Sequence, residues 1–198
     1  LLTAVYKNKI DFIEPLIDAG ADINDPVTVG NELEIIATSF AGIRRENSTI
    51  REYTPLNLAI STIGREKVAI KLIQLGADIE AKHYRGGYTP ITRALGLKRK
   101  ELSATLLVKE PNLDVTGPGG KSPYLLAIEA KFPNMASRIG EKQPDQRVKP
   151  REGNIHPIHD AARHGLIDVV KELNDDDGAN EDINLQDDKL MTPLHHAA

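Results

Sequence analysis

A four-residue pattern recurs along this chain at nearly constant spacing. It reads Thr-Pro-Leu-His at 192–195, and diverged copies begin at Thr54, Thr89, Ser122 and His156. Successive copies lie 33 to 36 residues apart, which is typical of a helix-turn-helix repeat. One helix pair of this size cannot bury its apolar side alone, so the pattern predicts an array of repeats that stack on one another.

The pattern also predicts where each repeat begins its first helix. A hydroxyl side chain caps a helix well, and proline fits the first helical position because no N–H is needed there. The hydroxyl caps are Thr54, Thr89, Ser122 and Thr192. A small residue recurs at one offset inside this helix, where it lets the next helix approach closely: Ala59, Ala94, Ala127, Ala161 and Ala197.

Larger apolar residues follow at spacings of three and four, which predict one apolar stripe on each second helix. They are Phe12, Ile13, Leu16 and Ile17, then Val68, Ala69, Leu72 and Ile73, then Leu102, Leu106 and Leu107, then Val169, Val170 and Leu173. Gly20 and Gly76 come directly after two of these helices, where glycine commonly ends a helix in the left-handed conformation.

Gly-Ala-Asp-Ile-Asn at 20–24 and Gly-Ala-Asp-Ile-Glu at 76–80 complete the unit. Together with the Thr-Pro-Leu-His pattern, they make the chain resemble the ankyrin repeat family over nearly its whole length. The resemblance implies an all-α solenoid of helix-turn-helix units with β-turn fingers, in a single domain over 1–198. The expected parts are partial repeats at 1–24 and 185–198, an insertion at 25–53, and repeats at 54–80, 81–114, 115–147 (degenerate) and 148–184.

Two segments depart from the repeat. Residues 25–53 exceed what a unit needs, and an apolar face at Leu33, Ile36 and Phe40 predicts an extra helix there, which either shapes a binding surface or packs as a tolerated insertion. Residues 140–155 match the unit poorly. We expect the helix around Asn134–Ile139 to be short or irregular after proline, which would make this the weakest joint of the array.

Composition narrows the possible functions. The net charge is −4 and cysteine is absent, which excludes disulfides and thiol chemistry. Six basic residues and no acid lie between Lys82 and Lys100, but the acidic balance of the whole chain argues against nucleic-acid binding.

No signal peptide or apolar spanning segment is apparent, so we expect a cytoplasmic protein. Both ends fall inside repeats, which indicates a piece of a longer protein.

Histidines and acidic residues raise the question of a metal or catalytic site. His156 and His159 could share a helix face, but the resemblance implies that His159 and His195 make structural hydrogen bonds between repeats. The acidic run at 175–178 lacks the ligand spacing of a calcium loop. No nucleotide-binding or catalytic motif is present. The sequence therefore predicts a protein that is not an enzyme and has no cofactor.

The resemblance implies that a partner binds to the turn tips and the exposed side of the first helices, in a concave groove. Three of the five tyrosines fall at such tips, and tyrosine and arginine dominate interface hot spots. An alternative explanation is that these tyrosines pack on neighbouring tips. The candidate partner-binding residues are Tyr53, Tyr84, Arg85, Tyr88, Arg93, Leu97, Lys121, Arg163 and His164.

These observations favour a protein-protein interaction module that engages an acidic or extended segment of a protein partner. An alternative is a substrate-recruiting or targeting region of a larger enzyme, such as a secreted bacterial effector that acts in a host cytoplasm. Membrane binding is not expected, and the sequence does not set the oligomeric state.

Overall fold

Short α-helices in pairs make up most of the structure, a computed structural model that describes residues 1–28, 52–82, 87–143, 145–148, 150, 152–175 and 183–198. The helices are α1 (Leu2–Tyr6), α2 (Ile13–Asp18), α3 (Pro55–Ser61), α4 (Glu66–Gln74), α5 (Pro90–Gly96), α6 (Lys100–Val108), α7 (Pro123–Glu129), α8 (Pro133–Lys142), α9 (Asp145–Val148), α10 (Pro157–Arg163), α11 (Ile167–Asp175) and α12 (Pro193–Ala197). Single 3-10 turns lie at Ile10–Phe12 and Pro118–Gly120.

The chain forms two compact units. The first contains Leu1–Ala94 and Glu101–Pro111, and the second contains Leu95–Lys100 and Asn112–Ala198. Within the first unit, α3 packs against α1 and α4. Within the second unit, α7 packs against α8 and α10, and α10 packs against α11 and α12. The division of the array into repeats at the bounds given above stays a prediction.

One short pairing of strands accompanies the helices. Strand β1 (Val27–Thr28) runs antiparallel to β2 (Glu52–Tyr53), with Val27 opposite Tyr53 and Thr28 opposite Glu52. These strands join the two ends of the predicted insertion. The extra helix predicted inside it falls outside the described residues.

The predicted first-helix features are confirmed on α3 and α7. The Thr54 hydroxyl accepts a hydrogen bond from the Asn57 amide at 3.2 Å, and the Ser122 hydroxyl accepts one from Leu125 at 3.3 Å. Proline occupies the start of each of these helices. Four of the five small residues are fully buried, at Ala59, Ala94, Ala127 and Ala161. Ala197 is exposed.

The second-helix stripes are confirmed on α4 and α6, and in part on α2 and α11, where Leu16, Ile17 and Val170 are only half-buried. Every predicted stripe residue of α4 and α6 is buried, as are Val169 and Leu173 on α11. The prediction that Phe12 is buried is wrong, because Phe12 lies in the 3-10 turn before α2 and its side chain is 59% exposed. Ile13, the first residue of α2, is buried as predicted.

The predicted left-handed helix ends are also confirmed. Gly20 and Gly76 have φ angles of +95° and +92°, a region that residues with a Cβ rarely adopt. Each glycine lies two residues beyond the last helical residue, directly after the C-cap residue.

The degenerate repeat is the main departure from expectation. Helix α8 was expected to be short or irregular, but it runs for 10 residues from Pro133, and Met135, Ala136 and Ile139 are buried on it. Proline at the first helical position starts this helix and does not interrupt it. The next segment, predicted to be a weak joint, contains α9, whose Arg147 is 7% exposed.

Arg147 ties this segment to the following repeat. Its Nη2 donates to Glu172 Oε1 on α11 at 3.0 Å, and the Ser137 hydroxyl donates to Glu172 Oε2 at 2.5 Å. Gln146 Nε2 donates to the Leu113 carbonyl at 2.7 Å. Polar side chains of residues 140–155 thus bind specific backbone and carboxylate groups, and the expectation that this segment is the weakest joint stays a prediction.

Among the described residues, no helix has the length and apolar character needed to cross a bilayer.

Candidate protein-interaction surface

The structure describes the side chains of six of the nine predicted partner-binding residues: Tyr88, Arg93, Leu97, Lys121, Arg163 and His164. Tyr84 and Arg85 fall outside the described residues. Tyr53 pairs through its main chain in β2, but its side chain is not described. All six described side chains keep contact with solvent, since none of them is in the buried class.

Tyr88 and Arg93 flank the start of α5 in the first unit. Tyr88 is half-buried, and it precedes the cap residue Thr89, whose hydroxyl lies 3.3 Å from that of Thr92. Both threonines are buried, so the helix start is firmly held. Arg93 is half-buried, and its Nε has no hydrogen-bond partner among the described residues.

Leu97 and Lys121 belong to the second unit. Leu97 follows α5 directly and is 40% exposed. Lys121 precedes α7, and its Nζ donates to Glu129 Oε1 at the end of that helix, at 2.6 Å. Each of these two charged side chains keeps about a third of its surface exposed, so the ion pair is accessible to a ligand.

Arg163 and His164 end α10 in the same unit. Arg163 Nη1 donates to Asp160 Oδ1 at 3.4 Å, and Nη2 donates to His196 Nδ1 at 2.7 Å. Partial burial lowers the pKa of His164, and the charges of Lys131 and Arg163 lower it further, against the opposing effects of Asp160 and Glu129.

Helix α7 packs against α10. Lys121 pairs with Glu129 at the end of α7, and the charge of Glu129 acts on His164 at the end of α10. We call Lys121, Glu129, Arg163 and His164 the charged face.

The histidines act as structural links. His159 Nδ1 accepts a hydrogen bond from the His156 amide at 3.1 Å, and His159 Nε2 donates to the Leu185 carbonyl in the next turn at 3.0 Å. Asn57 plays the same part in the first unit, where its amide donates to the Ala81 carbonyl at 3.0 Å. No cluster of three or more metal-binding side chains occurs in the described part of the chain.

Sequence reasoning missed the polar residues that join successive second helices. Glu66 Oε1 on α4 accepts from the Leu102 amide in the first turn of α6 at 3.1 Å, which satisfies an amide that the helix itself leaves open. Arg65 Nε similarly donates to the Tyr6 carbonyl at 2.9 Å. The available signal was the pair of charged residues at the start of α4, Arg65 and Glu66.

Comparison with known proteins gives an independent assignment. Residues 154–188 match the ankyrin repeat family. The chain is similar to Rabankyrin-5 from Mus musculus, with 27% identity over 184 residues, and to Rabankyrin-5 from Homo sapiens, with 28% identity over the same length. Each alignment covers 92% of this chain and 14% of the relative.

The matched segment contains α10 and α11, with the capped helix start, the buried alanine and the histidine link described above. The proline start and the buried alanine recur on α3, α5 and α7. Residues 154–188 therefore match an ankyrin repeat, and the described chain has the all-α architecture of paired short helices that is consistent with such an array.

Proposed function

We propose that this protein is a non-catalytic interaction module that binds an acidic or extended segment of a protein partner in a cytoplasmic setting. The partner contacts the turn tips and the first helices. The observation that carries the proposal is that all six described candidate side chains remain accessible, although they adjoin helices that are otherwise densely buried.

Stacking uses a different set of positions. Ala59, Ala127 and Ala161 on the first helices are fully buried within their units. Arg93 and Arg163 lie on first helices too, but they keep solvent contact. Since packing does not require a long cationic side chain at these positions, we infer that both serve a partner, with Arg163 held by Asp160 and His196 in this structure.

The chemistry of these side chains favours carboxylate ligands. Arginine forms short, strong hydrogen bonds with carboxylates, and the Arg93 side chain keeps contact with solvent although its Nε is buried. Tyr88 adds a rigid, amphipathic ring of the type enriched at hot spots.

A substrate-recruiting region of a larger enzyme would use the same side chains. The chain spans 14% of the length of its relatives. The binding test below applies to both roles, since each requires the same contact with a protein segment.

Binding of a labelled oligoaspartate peptide tests the proposal by fluorescence anisotropy. We expect Tyr88→Ala with Arg93→Ala to weaken binding about tenfold or more, because a hot-spot residue contributes about 2 kcal/mol. Oligolysine should not bind. Folding should persist, because substitutions away from the core change stability by about 0.5 kcal/mol or less.

A matched control removes one ring and one cation elsewhere in the first unit. Phe12 is 59% exposed and Lys67 is exposed on α4, so Phe12→Ala with Lys67→Ala should leave peptide binding unchanged. Equal losses of binding in both double variants would contradict the proposed surface.

A further inference from the structure

Arg163 of the charged face is held by a neighbouring histidine. Its Nη2 donates to His196 Nδ1 at 2.7 Å, and His196 Nε2 lies 2.9 Å from Asp187 Oδ2. A guanidinium has donors and no acceptor, so Nδ1 must be unprotonated to receive this bond. His196 therefore carries its proton on Nε2 and is neutral while Arg163 is bound to it.

Asp187 fixes the other side of the ring. Its Oδ1 accepts from the amides of Met191 at 2.9 Å and Lys189 at 2.8 Å. The hydrogen bond from the Met191 amide lowers the pKa of Asp187 most, and the bonds from His196 and Lys189 lower it further. Burial opposes them, and the pKa falls to about 2. Asp187 stays ionised wherever imidazoles change charge, so it holds Nε2–H in place throughout.

The other titratable groups around His196 are already engaged. The His159 ring meets His196 edge-on at 5.2 Å, but both of its nitrogens have backbone partners. Asp160 is buried and faces Arg163 at 3.4 Å. On the same helix as His196, His195 Nδ1 lies 3.2 Å from the Thr192 amide. His196 is thus the imidazole in direct contact with the Arg163 guanidinium.

We propose that protonation of His196 releases Arg163 for a carboxylate ligand, so that the charged face binds an acidic segment more tightly in mild acid. A proton on Nδ1 places two donors against each other, and this ends the bond between His196 and Arg163. Asp187 still binds the protonated imidazole of His196, whose side chain is only 9% exposed. The Arg163 side chain is 40% exposed and can turn outward. The inference rests on the proposed function of this face.

Two measurements test the inference. Proton NMR with nitrogen labelling follows His196 and the Arg163 guanidinium from about pH 8 to about pH 6, the range in which imidazoles titrate. We expect the Arg163 signals to move together with those of His196. Oligoaspartate binding, measured at constant ionic strength, should strengthen roughly three- to fivefold, the gain typical of one exposed ion pair.

Variants separate His196 from the other histidines. His196→Asn keeps an acceptor oxygen near the position of Nδ1 but cannot take up a proton, so it should remove this gain in affinity. Arg163→Gln should remove it as well. His195→Asn, at the neighbouring exposed position, should keep the wild-type response.

An unchanged acid response in His196→Asn would overturn the inference, as would Arg163 signals that ignore protonation of His196. Failure of the peptide to bind at either pH would contradict the proposed acidic partner and with it the tighter binding. The NMR titration would still show whether His196 releases Arg163, which distinguishes the two failures.

Discussion

Leu106→Ala is expected to lower the free energy of unfolding by about 2 to 5 kcal/mol, the usual cost of truncating a fully buried leucine. Leu106 is 0% exposed on α6, and the first turn of α6 is bound by Glu66 from the preceding second helix. A repeat has few neighbours that can close a cavity, so the loss should lie well inside this range. Denaturant unfolding measures it.

Val108 provides the control on the same helix, since its side chain is 63% exposed. Val108→Ala should change stability by about 0.5 kcal/mol or less. A loss below about 1 kcal/mol for Leu106→Ala would mean that the register assigned to α6 is wrong.

Tyr124→Ala is expected to cost about 3 to 5 kcal/mol, as for other large aromatic residues of a core. Tyr124 is 0% exposed at the start of α7, in the repeat that resembles the family pattern least. A Cβ on Gly140 would lie 3.1 Å from its ring, so α8 packs directly against it. Thermal or denaturant unfolding of the variant gives the value.

Ile167→Ala is a suitable comparison in the same unit, because Ile167 is 66% exposed, and its effect should be small. Equal stability of Tyr124→Ala and the wild type would show that the degenerate repeat contributes no core of its own, contrary to the packing described above.

The regular part of the fold follows from the sequence because local chemistry determines it. A hydroxyl cap, a proline and a small residue at a fixed offset set first helices such as α3 and α7, and Thr54 with Ala59 shows all three. The stripe on α4 is predictable for the same reason, since a period of 3.6 residues places Val68, Leu72 and Ile73 on one side.

The degenerate repeat could not be predicted this way because long-range contacts determine it. Gly140 lacks a side chain that would meet Arg147 Cδ at 2.9 Å, and Arg147 reaches Glu172 on another helix. Neither relation has a local signature in the sequence. A polar, proline-containing segment was therefore interpreted as a weak joint.

The candidate surface shows the same limit. The alignment of repeats correctly located accessible positions at Leu97 and Arg163, because exposure follows from register. It could not show that Asp160 and His196 already bind Arg163, since these partners depend on the packing of α12 against α10.

Affinity capture followed by quantitative mass spectrometry tests the central claim most directly. The wild type and the Phe12→Ala, Lys67→Ala variant should retain the same protein partner, and Tyr88→Ala with Arg93→Ala should lose it while remaining folded. The opposite result would contradict binding through the turn tips and first helices. In that result the folded Tyr88→Ala, Arg93→Ala variant keeps the partner and the Phe12→Ala, Lys67→Ala variant loses it.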